Sequence, residues 1–111
     1  MTEHATSPPV CIVLTDSLAD DRPIERDIFN AAEPLGLAVQ RADDALRSSM
    51  PLLDAVVDRI RRARVVVALA RETESPWLWV QAGAAVALRR PLVIVITSPG
   101  VTLPPELNDV L

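Results

Sequence analysis

Lysine is absent from all 111 residues, and every long basic side chain is an arginine. That absence excludes three chemistries within the chain: a Walker-type phosphate loop, a Schiff-base nucleophile and a receiver-domain switch lysine. Cysteine occurs once, as Cys11 inside the first apolar run, so no internal disulfide can form. A small buried apolar residue is its ordinary meaning there. The lone His4 lies in a polar leader, which leaves neither a metal cluster nor a Cys/His nucleophile pair to assemble. No apolar run approaches the length of a membrane span. The leader, Met1 to Pro9, lacks the charged start and apolar stretch of a signal peptide. A cytoplasmic location is expected by default, with no membrane partner. Net positive charge is also missing: the balance is −4, so nucleic acid is not an expected partner. Arg59, Arg61, Arg62 and Arg64 do cluster, at the end of an amphipathic helix where the helix dipole favours cations. They read as a solvated helix end, with an anion site as the alternative.

What is present is a core's worth of apolar residues, 50% of a chain with room for one domain. Residues 1–9 read as a flexible leader and 10–111 as the domain, without internal repeats. Val10-Cys11-Ile12-Val13-Leu14 is a β-branched apolar run expected to form a strand buried on both faces. After Asp16 to Asp21, Pro23 opens a helix in which Ile24, Ile28, Ala32 and Leu35 are expected to share one face. Gly36 follows as its cap. Leu37-Ala38-Val39 predicts a short second strand. Ser49 and Pro51 open a second helix with Leu53, Val56, Val57 and Ile60 as its apolar stripe. Val65 to Leu69 predicts a third strand. Ser75-Pro76 starts a third helix, expected to run to Arg89-Arg90 and stop at Pro91. Leu92 to Ile96 predicts a fourth strand, and Pro104-Pro105-Glu106 a last short helix.

This alternation predicts an α/β domain with a doubly wound parallel sheet in the order 2-1-3-4. Ligands of such sheets bind beyond the carboxyl ends of the strands. That edge collects Thr15, Asp16 and Ser17, then Arg41, Asp43 and Asp44, then Arg71 to Trp77, then Thr97 and Ser98. Asp43-Asp44 reads as an acid/base pair, a ribose-hydroxyl acceptor or a solvated turn. Asp16, Asp20 and Asp21 read as a divalent-ion pocket or as helix caps. Trp77 and Trp79 could stack on a purine, although two residues apart in a helix they point in different directions. Gly83 in mid-helix implies close approach of a backbone or ligand, or simple helix-on-sheet packing.

Arg41-Ala42-Asp43-Asp44 resembles the Arg-x-Asp element of TIR-like nucleotide-binding proteins and of their nucleoside 2-deoxyribosyltransferase relatives. Ser75-Pro76-Trp77-Leu78-Trp79-Val80-Gln81-Ala82-Gly83, followed by Arg89-Arg90-Pro91-Leu92-Val93-Ile94, is similar to the glutamate-bearing helix and basic-Pro-apolar strand of the same families. The resemblance implies a flavodoxin-like fold over roughly residues 10 to 107; the chain is short for that fold after its fourth strand, so either a compact four-stranded version or a sheet completed by a partner is expected. It also implies chemistry on N-glycosidic bonds, in which a third-helix glutamate stabilises oxocarbenium character or attacks it. Gln81 stands at that position and is a very poor nucleophile. The transferase asparagines are replaced by Ser75 and Trp77, and Ala68 stands where relatives often carry an acid.

The expectation is therefore a catalytically degenerate TIR-like module that binds a nucleotide or NAD-type ligand or self-assembles, in bacterial signalling or defence. Its ligand-binding residues would be Asp16, Ser17, Arg41, Asp43, Ser75, Trp77 and Gln81, with no catalytic residue, cofactor or metal. Gln81 would offer hydrogen bonds to a ribose, and Gln81→Glu would be cheap in a solvated site. An active N-glycosidase using Asp43 or Asp44, and a purely structural interaction domain, are the alternatives. A homo-oligomer, or pairing with a like domain, is expected from an uncovered apolar edge strand.

Overall fold

The computed structural model describes residues 8–15, 22–42, 51–71 and 76–108. Among these residues four strands and four helices alternate: β1 (Val10–Leu14), α1 (Arg22–Ala32), β2 (Ala38–Arg41), α2 (Leu52–Arg62), β3 (Ala63–Ala70), α3 (Pro76–Ala87), β4 (Leu92–Ile96) and the short α4 (Pro105–Asn108). The strands form one wholly parallel sheet in the expected order, β2-β1-β3-β4. This is the arrangement of a flavodoxin-like fold. Cys11 sits between Val39 and Val65 in the ladder, and Val66 pairs with Leu92.

Alternation along the two inner strands builds a core on each face of the sheet. Ile12, Leu14, Val66, Ala68 and Ala70 meet Ala55, Val56 and Ile60 of α2 and Leu78, Ala82 and Ala85 of α3. Cys11, Val13, Val67 and Leu69 point the other way, where Ile24 and Ile28 of α1 cover them. The division follows from chain direction. The step from β1 to β2 runs opposite to the steps from β2 to β3 and from β3 to β4. One crossover hand therefore puts α1 on one face and α2 with α3 on the other.

Local signals set most element ends. Gly36 adopts the left-handed conformation, φ 74°, and its N–H bonds the Glu33 carbonyl at 3.0 Å, closing a 3-10 turn over Glu33–Leu35. That turn changes the helical phase, so Leu35 leaves the expected apolar face and is 73% exposed. In α2 the buried line runs through Ala55, Val56 and Ile60. Leu53 is turned roughly 80° away from the centre of that line at about 100° per residue, and is 50% exposed. Strand β2 begins and ends one to two residues later than expected, and β3 starts at Ala63 directly after α2. Helix α3 stops at Ala87, and Arg89 takes φ 58° ahead of Pro91. Beside Gly83 an added Cβ would meet nothing within 4 Å, so no close approach requires glycine there.

Strand β4 is the uncovered apolar edge that the order 2-1-3-4 leads to expect. Its run is as apolar as β1, yet it lies at the edge, with Val93 49% and Ile96 56% exposed. Two-sided burial needs neighbours on both sides, and β4 has only β3 among the described residues. Among those residues no helix is long and apolar enough to cross a membrane.

Candidate functional site

The strand order reverses between β1 and β3, so the crevice beyond Leu14 and Ala70 is where this architecture places ligands. Thr15 and Arg71 continue those strands and are half-buried. On the β3–β4 side, the Thr97 N–H and hydroxyl both donate to the Ala70 carbonyl, at 2.8 and 3.0 Å. That hydroxyl therefore closes the end of the sheet.

Helix α1 runs antiparallel to the strands and begins at this edge. Arg41, the last residue of β2, donates from Nη1 to both Glu25 carboxylate oxygens at 3.2 and 3.1 Å. The pair pins the first turn of α1 to the carboxyl end of β2. Beside that turn lies an open surface hollow of about 480 Å³ lined by Arg22, Pro23, Arg26 and Asp27, all four exposed. Arg22 and Arg26 are one turn apart and share a stripe of the helix. Their guanidinium groups and the positive end of the helix dipole suit a phosphate or carboxylate, while Asp27 supplies an acceptor for a hydroxyl.

Of the residues expected to bind ligand, Asp16, Ser17, Asp43 and Ser75 lie outside the described residues, as do Asp20, Asp21, Asp44 and His4. Arg41 engages α1 on one face of the sheet, whereas Trp77 and Gln81 belong to α3 on the other. The structure thus brings Trp77 and Gln81 together and holds Arg41 apart from them. Trp77 is exposed in the first turn of α3, and Trp79 packs against the core. Gln81 is 3% exposed, the one buried polar residue among those described. Its Nε2 donates to the Trp77 carbonyl at 3.2 Å, so the amide is turned back on its own helix. The solvated surrounding that would make Gln81→Glu cheap is not there.

Two arginines of the cluster expected at the end of α2 have partners close by, and Arg64 lies in β3. Arg62 pairs with Asp58 at 3.2 Å, and Arg59 Nη1 donates to Gln40 Oε1 at 3.3 Å. Burial pushes the Cys11 thiol up from its ordinary value and leaves it a neutral core group. Among the described residues no three His, Cys, Asp or Glu side chains gather where they could hold a metal ion.

Sequence reasoning passed over Arg22, Arg26 and Asp27. The available signal was an i, i+4 arginine pair at the start of the helix after the first strand, the position nearest the reversal point. The chain matches no protein-family model and no curated protein.

Proposed function

We infer that the chain is a non-catalytic binding module that takes a nucleotide-type ligand at the carboxyl edge of its sheet and assembles with a like domain. The observation carrying this is the open hollow at the first turn of α1, where the exposed Arg22, Arg26 and Asp27 line a space of about 480 Å³. Two guanidiniums at a helix N-terminus favour phosphate oxygens, and a nearby carboxylate favours a ribose hydroxyl. The TIR-like resemblance of Arg41-Ala42-Asp43-Asp44 and of Ser75 to Gly83 points to the same ligand class. That resemblance also supports a role in bacterial signalling or defence. The reading as non-catalytic rests on the resemblance: Gln81 stands at the position of the family's glutamate, and no carboxylate is there to stabilise an oxocarbenium ion.

A thermal-shift series with NAD, ADP-ribose, ATP and deoxynucleosides tests this. A ligand at a hundred times its Kd stabilises the fold by about 2.7 kcal/mol, a rise of several degrees. The shift should be lost in Arg26→Ala, whose exposed side chain contributes little to folding. No shift with any nucleotide would favour a purely structural interaction domain. Incubation with NAD or deoxynucleosides should release no base above a buffer control. Robust release that is lost in Asp43→Asn or Asp44→Asn would establish the enzymatic alternative instead.

A further inference from the structure

We propose that two copies of the chain join through their β4 edges, antiparallel about a two-fold axis at Ile94, to make one continuous eight-stranded sheet. This deepens the assembly proposed above and rests on it.

The hydrogen-bond parity of β4 is fixed by its ends. The Pro91 carbonyl accepts from Val66 N–H and the Thr97 N–H donates to the Ala70 carbonyl, each at 2.8 Å. A strand residue sends its N–H and C=O to the same side, and sides alternate. Odd-numbered residues of β4 therefore bond to β3, and Leu92, Ile94 and Ile96 present their N–H and C=O groups outward. An antiparallel partner forms its hydrogen-bonded pairs between residues of this kind. With the axis at Ile94, Ile94 meets its own copy and Leu92 meets Ile96 of the other, twice over, giving about six ladder bonds. Val93 falls opposite Val95 as the intervening non-bonded pair.

The side chains agree with the backbone. Leu-Val-Ile-Val-Ile reads nearly the same in both directions, so every cross-strand pair in this register joins two branched apolar residues on the same face. Val93 and Ile96, the two large apolar side chains exposed from any strand, are both covered. No charge lies within β4, and the antiparallel approach sends Arg89 and Arg90 of each copy to opposite ends of the joint. The other edge of the sheet is built differently. There Gln40 accepts from Arg59 and Arg41 holds Glu25, polar engagements that blunt β2 against pairing. A two-fold antiparallel joint also closes on itself, unlike parallel stacking. The joint is short, so association should be weak and concentration-dependent.

Sedimentation of the whole chain from about 10 μM to about 1 mM should show the mass rising from 12.0 kDa towards twice that value. Ile96→Lys and Val93→Lys, at positions half open to water, should stay folded by circular dichroism and weaken association at least about tenfold, the equivalent of 1.4 kcal/mol. Ile94→Cys should oxidise to a covalent dimer, because its Cα would lie about 5.5 Å from its copy, within disulfide reach. Val93→Cys should not, since its opposite number is Val95. A monomer throughout the range, association untouched by both lysine variants, or equal cross-linking at positions 93 and 94 would overturn the proposal. A nucleotide-induced thermal shift retained in Ile96→Lys would show ligand binding to stand whatever happens at this edge.

Discussion

Gln81→Glu changes one atom's chemistry and almost nothing of its shape. The parent amide is 3% exposed and donates to the Trp77 carbonyl at 3.2 Å. That carbonyl also lies one helical turn before the Gln81 N–H, its ordinary partner in an α-helix. An ionised carboxylate would face the carbonyl oxygen with no proton to offer and little water. A neutral carboxylic acid could donate the same bond. The folded state therefore holds the proton, and desolvation pushes this carboxyl above its ordinary value of about 4.3. The sign follows from linkage. Below about pH 4 folded and unfolded chains are both protonated, and the variant should nearly match the parent. As pH rises, the unfolded chain releases its proton first, so stability falls by about 1.4 kcal/mol per pH unit until the folded state ionises too. At pH 7 the loss should be about 3 kcal/mol, a large share of the 5–15 kcal/mol typical of a whole domain. The midpoint should drop by roughly 12 °C. Gln81→Met, which keeps volume and removes the polar group, should lose under about 1.5 kcal/mol with no pH dependence. Urea unfolding of all three proteins between pH 4 and pH 8 reads the difference directly. If Gln81→Glu is as stable as the parent at pH 7, with a flat profile, water reaches the side chain and the reasoning fails.

Gly83→Ala should stabilise the chain by up to about 1 kcal/mol, because its Cβ meets nothing within 4 Å. A lower midpoint in thermal unfolding would mean that something does occupy that space. Ile60→Ala, at the contact of α2 with the sheet, should cost about 2–5 kcal/mol in urea unfolding, since Ile60 is fully buried; a loss under 1 kcal/mol would show that site to be loosely packed. Cys11 should resist a thiol reagent at neutral pH until the chain is unfolded. Its thiol is pushed above the ordinary 9.0 by burial, so the folded state keeps the proton longer and stability should decline as pH climbs past that value. Rapid labelling of the native protein would contradict its place in the core.

The alternation of apolar runs with helix-period stretches was enough to determine the element order and the parallel sheet, because each run is a local pattern of period and length. Gly36 and Pro91 marked chain reversals for the same reason, being constraints on their own backbone torsions. Burial was not local. Val10–Leu14 and Leu92–Ile96 are equally apolar, yet one is enclosed and the other half-open, because only the sheet order decides which strand has two neighbours. Leu35 and Leu53 had the right spacing and came out exposed, since a 3-10 turn and the line of helix–sheet contact set the phase. The candidate site followed the same division. Its edge was readable from topology, whereas the approach of Arg41 to Glu25 joins segments distant in sequence. Gln81 shows the limit most plainly: a motif position fixes which residue is present, but whether water reaches it is settled only by what packs around the helix.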